Sequence, residues 1–224
     1  MKAPDPSLTA QRLHTPRAAA AAGIAFAILY GASILLIQLS APDAVSDPDA
    51  WILTRSRQIG LAFSLVPFAG IAFLWFLGVM RERLGHLEDQ FFSTLFLGSG
   101  LLYLAMTFAA SASAGGVMVV YAADPERFAG VAAVPILLSI SQTFNNIYAV
   151  RMAGMLMLIL GTIWTRTQVM PRWLTLITYL LALLLLVSIG FNSLAVLVFP
   201  AWVLLVSVYM VLQSRRPGDL GDRQ

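Results

Sequence analysis

The sequence predicts an all-α fold, a polytopic membrane bundle of about six transmembrane helices with both termini on the cytoplasmic side. Two observations of composition lead to this prediction. Hydrophobic residues make up 59% of the 224 residues and charged residues only 11%, against roughly 45–50% apolar residues in a soluble domain. The few charges are gathered into short stretches between long uncharged runs, which is the pattern of membrane-spanning segments.

The first two helices follow from the first uncharged runs. Residues 1–17 contain three prolines among polar and basic residues, and we expect a disordered cytoplasmic tail there. Residues 18–40, at about 1.5 Å per residue, are long enough to cross a hydrocarbon core of about 30 Å. An acidic loop around Asp47 follows. The second helix is predicted over about 56–80.

The third uncharged run has an awkward length. A charged turn at 81–90 must lie in water and starts the run on the cytoplasmic side. The run 91–123 is too long for one untilted span and too short for two. We therefore expect the span to end or bend around 111–116, where the small residues SASAGG weaken a helix. The excess, 111–141, is expected to form a partly ordered cap over the outer end of the bundle.

The fourth run, 128–165, contains a single charge, Arg151. Two spans would leave only about 14 residues for the second, which is too few to cross the bilayer. We expect one span over about 146–165, preceded by an outer helical or re-entrant segment around 129–141.

The last uncharged run, 173–214, holds two spans joined by a turn at 190–193. Residues 18–214 thus form one six-helix transmembrane domain, followed by a second disordered cytoplasmic tail, 215–224. Ten of the 14 Lys and Arg residues fall on the side of the termini and three on the other side, with Arg151 within the membrane. This asymmetry predicts a multi-pass protein with its N and C termini inside.

Several function classes are excluded or disfavoured by missing residues. The chain has no cysteine, and its two histidines, His14 and His86, lie outside the predicted spans, so a bis-histidine haem or an H-E-x-x-H zinc site cannot form in the membrane. No carboxylate lies inside a predicted span, which disfavours proton-coupled transport. Basic residues flank apolar segments instead of forming a stripe, which argues against nucleic acid. We expect no catalytic residues, no metal and no cofactor.

The intramembrane arginine carries the functional hypothesis. Arg151 lies about 14 residues, or about 21 Å, from the inner edge of its span, and an unpaired arginine at that depth is costly. It is predicted to hold an anionic or polar group, such as a lipid headgroup, in an outer-facing cavity, with Asp124 or Glu126 of the cap as counter-charge. The candidate ligand-binding residues are Arg151, Asn145, Asn146, Gln142 and Tyr148.

A second interpretation assigns these residues to packing alone. Arg151 would then bond free carbonyl groups or lipid phosphates, and the amides would link neighbouring helices. The protein would be a non-catalytic membrane scaffold or accessory subunit. Membrane lipids, an anionic ligand or a membrane-protein partner are the partners that these two hypotheses imply.

Small and aromatic residues indicate packing and interface roles. Gly23, Gly31, Gly98 and Gly100 are expected to allow close helix approach. Proline kinks are expected at Pro67 and Pro200. The five tryptophans lie mostly near predicted span ends and are expected to anchor the helices at the membrane interface. They are Trp51, Trp75, Trp164, Trp173 and Trp202.

Three tracts in the C-terminal third, YAVRMAGMLML, RTQVMPRWLTLITYLLALLLL and VFPAWVLLVSV, resemble small bacterial integral membrane proteins known only as hypothetical proteins. The resemblance implies a membrane fold in a bacterial cytoplasmic (inner) membrane and no particular activity. The shared pattern is carried by Arg151, Arg166, Pro171, Arg172, Trp173 and Pro200.

Overall fold

A computed structural model describes residues 6–40, 48–84, 90–124, 133–188 and 195–214, and every secondary-structure element in these ranges is helical. The elements are α1 (Pro6–Ser40), α2 (Pro48–Leu84), α3 (Gln90–Ala123), α4 (Ala133–Thr143), a π-helical segment (Phe144–Ala149), α5 (Val150–Thr167), α6 (Arg172–Val187) and α7 (Ala195–Ser214). α4, the π segment and α5 follow one another without a break and form one rod, which we call the central rod.

The predicted class, an all-α membrane bundle, is confirmed. Five segments are long and apolar enough to cross a membrane, and they are Ala18–Leu39, Gln58–Glu82, Gln90–Val120, Ala133–Thr167 and Ala195–Gln213. The sixth rod, α6, is a shorter apolar helix of 16 residues, which is about 24 Å at 1.5 Å per residue. By length and composition the described part of the chain therefore contains five helices that can cross a membrane and one shorter apolar helix.

Neighbouring rods run antiparallel. Ser33 of α1 donates a hydrogen bond to the Ala62 carbonyl oxygen of α2, whereas further down the pair Phe26 packs on Phe73. We call the end of the bundle where the apolar part of α1 begins the proximal end, and the end where α1 finishes the distal end. α2 and α7 begin at the distal end, and α3 and α6 begin at the proximal end.

The central rod occupies the middle of the bundle. Of its most apolar stretch 61% is buried, against 39% for each of the first three spans. Leu156, Leu160 and Ile163 of α5 are fully buried. Side chains from α3, α6 and α7 pack around them, whereas α1 packs chiefly on α2 and α7.

One expectation about the third run is wrong, and one about the fourth run holds in part. α3 continues as one helix to Ala123 and does not end around 111–116. The small residues there lie among contacts with other rods: Ala114 is buried, and Gly115 lies beside the ring of Phe63. Of the helical and re-entrant forms expected around 129–141, the helical one is observed over 133–141, but this segment continues directly into the central rod as its distal half. The region expected as a cap, 111–141, is thus built from two long helices that run side by side, with residues 125–132 outside the described residues.

The predicted tails have different outcomes. α1 begins at Pro6, so most of the segment expected as a disordered tail, 1–17, is helical. Proline is readily accepted in the first turn of a helix, and alanine has the highest helix propensity. The alanine-rich stretch that enters the membrane therefore extends as a helix beyond it. The second tail, 215–224, lies outside the described residues.

Two of the tryptophans expected at the interface are in the core. Trp164 and Trp202 are 1% and 2% exposed, and their ring centroids lie 6.1 Å apart. Trp202 Nε1 donates a hydrogen bond of 2.9 Å to Thr178 Oγ1 on α6, which satisfies the one polar atom of the indole. Trp75 and Trp173 are exposed, as expected of interfacial anchors.

Close helix approach is confirmed at two of the four predicted glycines. A Cβ atom added at Gly23 or Gly100 would collide with side chains of α7 or α2. At Gly31 and Gly98 it would meet no atom within 4 Å. The tightest backbone approach occurs at Gly154, where an added Cβ atom would lie 3.1 Å from the carbonyl oxygen of Ala182 on α6.

We expect Gly154→Ala to lower the free energy of unfolding by about 1–3 kcal/mol, as overpacking of a filled core does, because a backbone oxygen cannot turn aside as a side chain can. Thermal unfolding of the purified protein in detergent measures the change. Gly31→Ala is the matched control, since it adds the same methyl group in open space and raises helix propensity. Equal melting temperatures for the two variants would contradict the close contact between α5 and α6.

Candidate functional site

The distal end of the bundle contains a cavity of about 410 Å³. Five rods contribute to it: α1, α2, α3, the central rod and α7. Its size falls in the range of about 300–1,000 Å³ that is typical of small-molecule sites. The lining residues are Tyr30, Ser33, Ile34, Ile37, Gln38, Ile59, Phe63, Val66, Ala110, Ser111, Ala114, Met118, Leu138, Ser141, Gln142, Asn145, Asn146 and Val196.

The height of the cavity can be read from the helix rise. Ala110 lies about 20 residues along α3 from the proximal end, and Asn145 about 22 residues along the central rod, which correspond to about 30 Å and 33 Å. A bilayer hydrocarbon core is about 30 Å thick. Tyr30, which lines the base of the cavity, lies about 12 residues or about 18 Å into the apolar span of α1. The cavity therefore extends from about mid-span towards the distal ends of the helices.

Three carboxamides form one wall. Gln142, Asn145 and Asn146 all line the cavity, and their spacing of three and four residues places them on one face of the rod. Asn145 and Asn146 belong to the π-helical segment, a rare helix type that often occurs at functional sites. The side chains of Gln142 and Asn146 make no hydrogen bond within the described part of the protein. Their donors and acceptors are thus available to a ligand.

Asn145 has a protein partner on one side only. Its Oδ1 atom accepts a hydrogen bond of 3.1 Å from the hydroxyl of Tyr30 on α1. The bond joins the first rod to the central rod across the base of the cavity. Since Asn145 uses its oxygen here, its NH₂ group retains two donors.

The remaining wall is largely apolar. Its polar side chains are Tyr30, Gln38 and three serines. Two of the serines are already occupied in joining helices: Ser33 donates to the Ala62 carbonyl oxygen and Ser141 to the Ala110 carbonyl oxygen, each at 2.7 Å. Isoleucine, phenylalanine, valine and methionine side chains cover most of the rest. No charged residue lines the cavity in the described part of the chain. The cavity is therefore amphipathic and uncharged.

Pro67, inside α2, and Pro200, inside α7, both affect the backbone at the wall of this cavity. Proline lacks the N–H that would bond the carbonyl four residues earlier, and for Pro67 and Pro200 those carbonyls belong to Phe63 and Val196. Both residues line the cavity. Each proline therefore removes an intrahelical donor from a backbone oxygen at the cavity wall.

The structure brings together three of the five candidate ligand-binding residues and leaves two outside. Arg151 and Tyr148 do not line the cavity. The ring of Tyr148 is 52% exposed and packs against Phe144. Arg151 Nη1 donates a hydrogen bond of 3.2 Å to the Ile147 carbonyl oxygen, one turn earlier. The backbone N–H of Val150 bonds the same oxygen.

The contact of Arg151 has a local cause. Where a π segment meets an α-helix the regular ladder of hydrogen bonds shifts, and carbonyl groups at the junction accept from unusual donors. Arg151 supplies such a donor to Ile147. The residue therefore acts on the conformation of the segment that presents Asn145 and Asn146. Of the two predicted counter-charges, Glu126 lies outside the described residues, and pairing with Asp124 or Glu126 stays a prediction.

Sequence reasoning missed Tyr30 as part of the site. Its hydroxyl is a polar group in the middle of the uncharged run 18–40, and that is the signal by which it can be found. Tyr30 is 4% exposed and stacks on Phe26 with ring centroids 5.6 Å apart. The packing of these rings holds the hydroxyl against Asn145.

No protein-family model, curated protein or solved structure matches the chain. The resemblance of the C-terminal third to small bacterial membrane proteins therefore stays a prediction.

We expect Arg151→Leu to change the free energy of unfolding by less than about 1 kcal/mol. The lost hydrogen bond from a charged donor contributes about 1.5–3 kcal/mol, and relief of a charge in the bilayer offsets it by up to about 2.5–3.5 kcal/mol at mid-membrane and by less near the interface. Thermal unfolding in detergent measures the balance. A loss well above 3 kcal/mol would instead indicate an ion pair, with Asp124 or Glu126 as the first carboxylates to replace.

Proposed function

We propose that the protein binds an uncharged amphiphile in the distal cavity, a molecule with a neutral hydrogen-bonding headgroup and an aliphatic part. The observation that supports the proposal most directly is the set of three carboxamides on the central rod, Gln142, Asn145 and Asn146, in a largely apolar cavity whose described lining carries no charged side chain. Carboxamides both donate and accept. They suit hydroxyl, ester or amide groups of a ligand without adding charge.

The absence of charge from the described lining argues against an anionic ligand. A carboxylate or phosphate transferred into an apolar cavity without a counter-charge is penalised heavily. Arg151, the one cation expected to supply that charge, bonds the backbone of its own helix. We therefore prefer a neutral headgroup to the anionic one that the sequence favours.

The level of the cavity supports a ligand that comes from the membrane. The amides and the apolar side chains line the cavity at overlapping heights in the distal half of the spans, so an amphiphile from the distal leaflet meets groups that match both of its parts. The basic residues Arg81, Arg166 and Arg172 all lie at the proximal ends of their helices. By the preference of basic residues for the cytoplasmic side, we assign the proximal end to the cytoplasm of a bacterial inner membrane and the cavity to the outer side.

A membrane scaffold or accessory subunit is the second candidate, and one observation favours it. The hydrogen bonds of Tyr30, Ser33 and Ser141 all join neighbouring rods, so part of the polar lining serves packing. Under that function the unpartnered amides of Gln142 and Asn146 have no ligand to bind.

Replacement of Asn146 separates the two candidates. We expect Asn146→Leu to reduce the binding of monoolein, an uncharged single-chain glycerol ester, by about tenfold, since a loss of about 1.4 kcal/mol corresponds to that factor. Native mass spectrometry from an amine-oxide detergent measures the bound fraction. Thr143→Val on the same rod is the control, because Thr143 is exposed and outside the lining. Equal monoolein binding by wild type and Asn146→Leu would contradict the proposal.

A cavity-filling pair tests the location. Ala114 is buried and lines the cavity, whereas Ala112 on the same helix is exposed and does not. We expect Ala114→Phe to abolish monoolein binding and Ala112→Phe to leave it unchanged, because only the first ring enters the cavity. Oleate, which has the same chain and a negative headgroup, is expected to bind wild type at least tenfold more weakly than monoolein. A preference for oleate would overturn the assignment of a neutral ligand.

A further inference from the structure

The hydrogen bond at the base of the cavity decides which end of one carboxamide a ligand meets. Tyr30 donates its hydroxyl proton to Oδ1 of Asn145 at 3.1 Å, and both residues line the cavity. The Nδ2 atom of Asn145 makes no hydrogen bond among the described residues, and it is not one of their fully buried atoms without a partner. Asn145 therefore offers N–H donors to the cavity, whereas its oxygen is occupied.

The packing of Tyr30 holds Asn145 in this orientation. The ring of Tyr30 stacks on Phe26 with an interplanar angle of 12° and meets the ring of Tyr103 edge-on, with centroids 6.5 Å apart. A ring confined on two sides keeps its hydroxyl at Oδ1 of Asn145. An asparagine without such a partner turns easily about its last side-chain bond, which exchanges the oxygen and the nitrogen. Asn145 is therefore the one carboxamide of the described lining whose donor end is fixed by another side chain in that lining.

Two further polar groups lie about one turn nearer the distal end of the cavity. Gln142 precedes Asn145 by three residues, or about 4.5 Å along the rod. Ser111 on α3 lies at nearly the height of Gln142, because their neighbours Ala110 and Ser141 are joined by a hydrogen bond. Ser111 lines the cavity, and its hydroxyl makes no hydrogen bond within the described ranges. Both groups can donate and accept.

The order of these groups along the cavity matches one class of neutral amphiphile. In an acyl amphiphile the headgroup hydroxyls come first, the carbonyl oxygen of the ester or amide comes next, and the aliphatic chain follows. Side chains that both donate and accept suit the hydroxyls. A side chain that is fixed as a donor suits the carbonyl oxygen, which has lone pairs and no proton.

We propose that Asn145, oriented by Tyr30, selects an acyl amphiphile by donating a hydrogen bond to the carbonyl oxygen of its ester or amide, while Gln142 and Ser111 bond its hydroxyl groups. This rests on the proposed function and narrows its ligand. Asn145 determines the specificity, and Tyr30 is a positioning residue that acts through Asn145. An alkyl ether with the same hydroxyl groups and chain has no carbonyl oxygen and lacks the acceptor at this position.

Two ligands that differ in this oxygen test the proposal. We expect wild type to bind monoolein, the ester, about five- to tenfold more tightly than 1-O-oleylglycerol, the matching ether, as one buried hydrogen bond gives. Asn145→Leu is expected to lower the ratio of the two Kd values to about one. Native mass spectrometry with both ligands in one sample measures the ratio directly, because their masses differ.

Each variant has a matched control. Asn146→Leu changes the neighbouring carboxamide of the same lining, and it is expected to weaken both ligands and to keep their ratio. Tyr30→Phe keeps the ring but removes the bond that orients Asn145, so the ratio is expected to fall towards one. Tyr179→Phe removes a hydroxyl that bonds Thr162 away from the cavity, and it is expected to leave both Kd values unchanged.

The outcomes separate the two proposals. If wild type binds no monoolein, or if Ala114→Phe still binds it, the proposed function fails. If wild type binds monoolein and Ala114→Phe does not, but ester and ether bind wild type equally well, only the selection of an acyl ligand is wrong. A preference for the ester that survives in Asn145→Leu would also overturn that selection. The comparison of ligands on wild type needs no variant, so it decides the question even if Asn145→Leu does not fold.

Discussion

The bundle depends on close contact between its central rod and the helices around it. In lipid the hydrophobic effect gives little attraction between helices, because the acyl chains are as apolar as the side chains, and packing and interhelical hydrogen bonds must replace it. Gly154 allows α5 to approach the backbone of α6, and Trp202 bonds Thr178 where α7 meets α6. These contacts fill the proximal half with closely packed side chains and fix the positions of its helices relative to one another.

The close packing of the proximal half ends at the π-helical segment of the central rod. Below the π segment, α5 presents a fully buried face, whereas above it the same rod presents carboxamides to a cavity. The two span prolines act at the same level, one on α2 and one on α7. At this height the helix type changes in the central rod, and the hydrogen-bond ladders of α2 and α7 are each interrupted. The backbone is therefore irregular where the bundle opens. Membrane proteins tolerate such irregular backbone only where it is buried in protein or lines a polar cavity.

Much of this fold could be predicted from the sequence, and the errors have a common cause. The lengths of the uncharged runs and the segregation of charge predict the helical class and the two antiparallel C-terminal helices. The positions of the three carboxamides of the central rod are also evident in the sequence. The predicted break at 111–116 is wrong because small residues weaken an isolated helix, whereas here neighbouring rods hold α3, as where the Ser141 hydroxyl bonds the Ala110 carbonyl oxygen. Trp164 and Trp202 were misread for a similar reason, since their depth depends on partners such as Thr178 that only the folded bundle brings near.

The candidate site shows which part of a function depends on tertiary contacts. A charge inside a span stands out in a sequence, and the ligand hypothesis therefore centres on Arg151, whereas Tyr30 resembles an ordinary core aromatic. The folded chain reverses their importance for the cavity. Arg151 finds its acceptor in the Ile147 carbonyl of its own rod, whereas Tyr30 lines the cavity and bonds Asn145 there. Gln142 and Asn146 line the same cavity with side chains that make no hydrogen bond among the described residues. In a membrane interior, where each unpaired polar atom is penalised, the groups that their own protein leaves unsatisfied are a more direct pointer to a ligand than the groups that carry a charge.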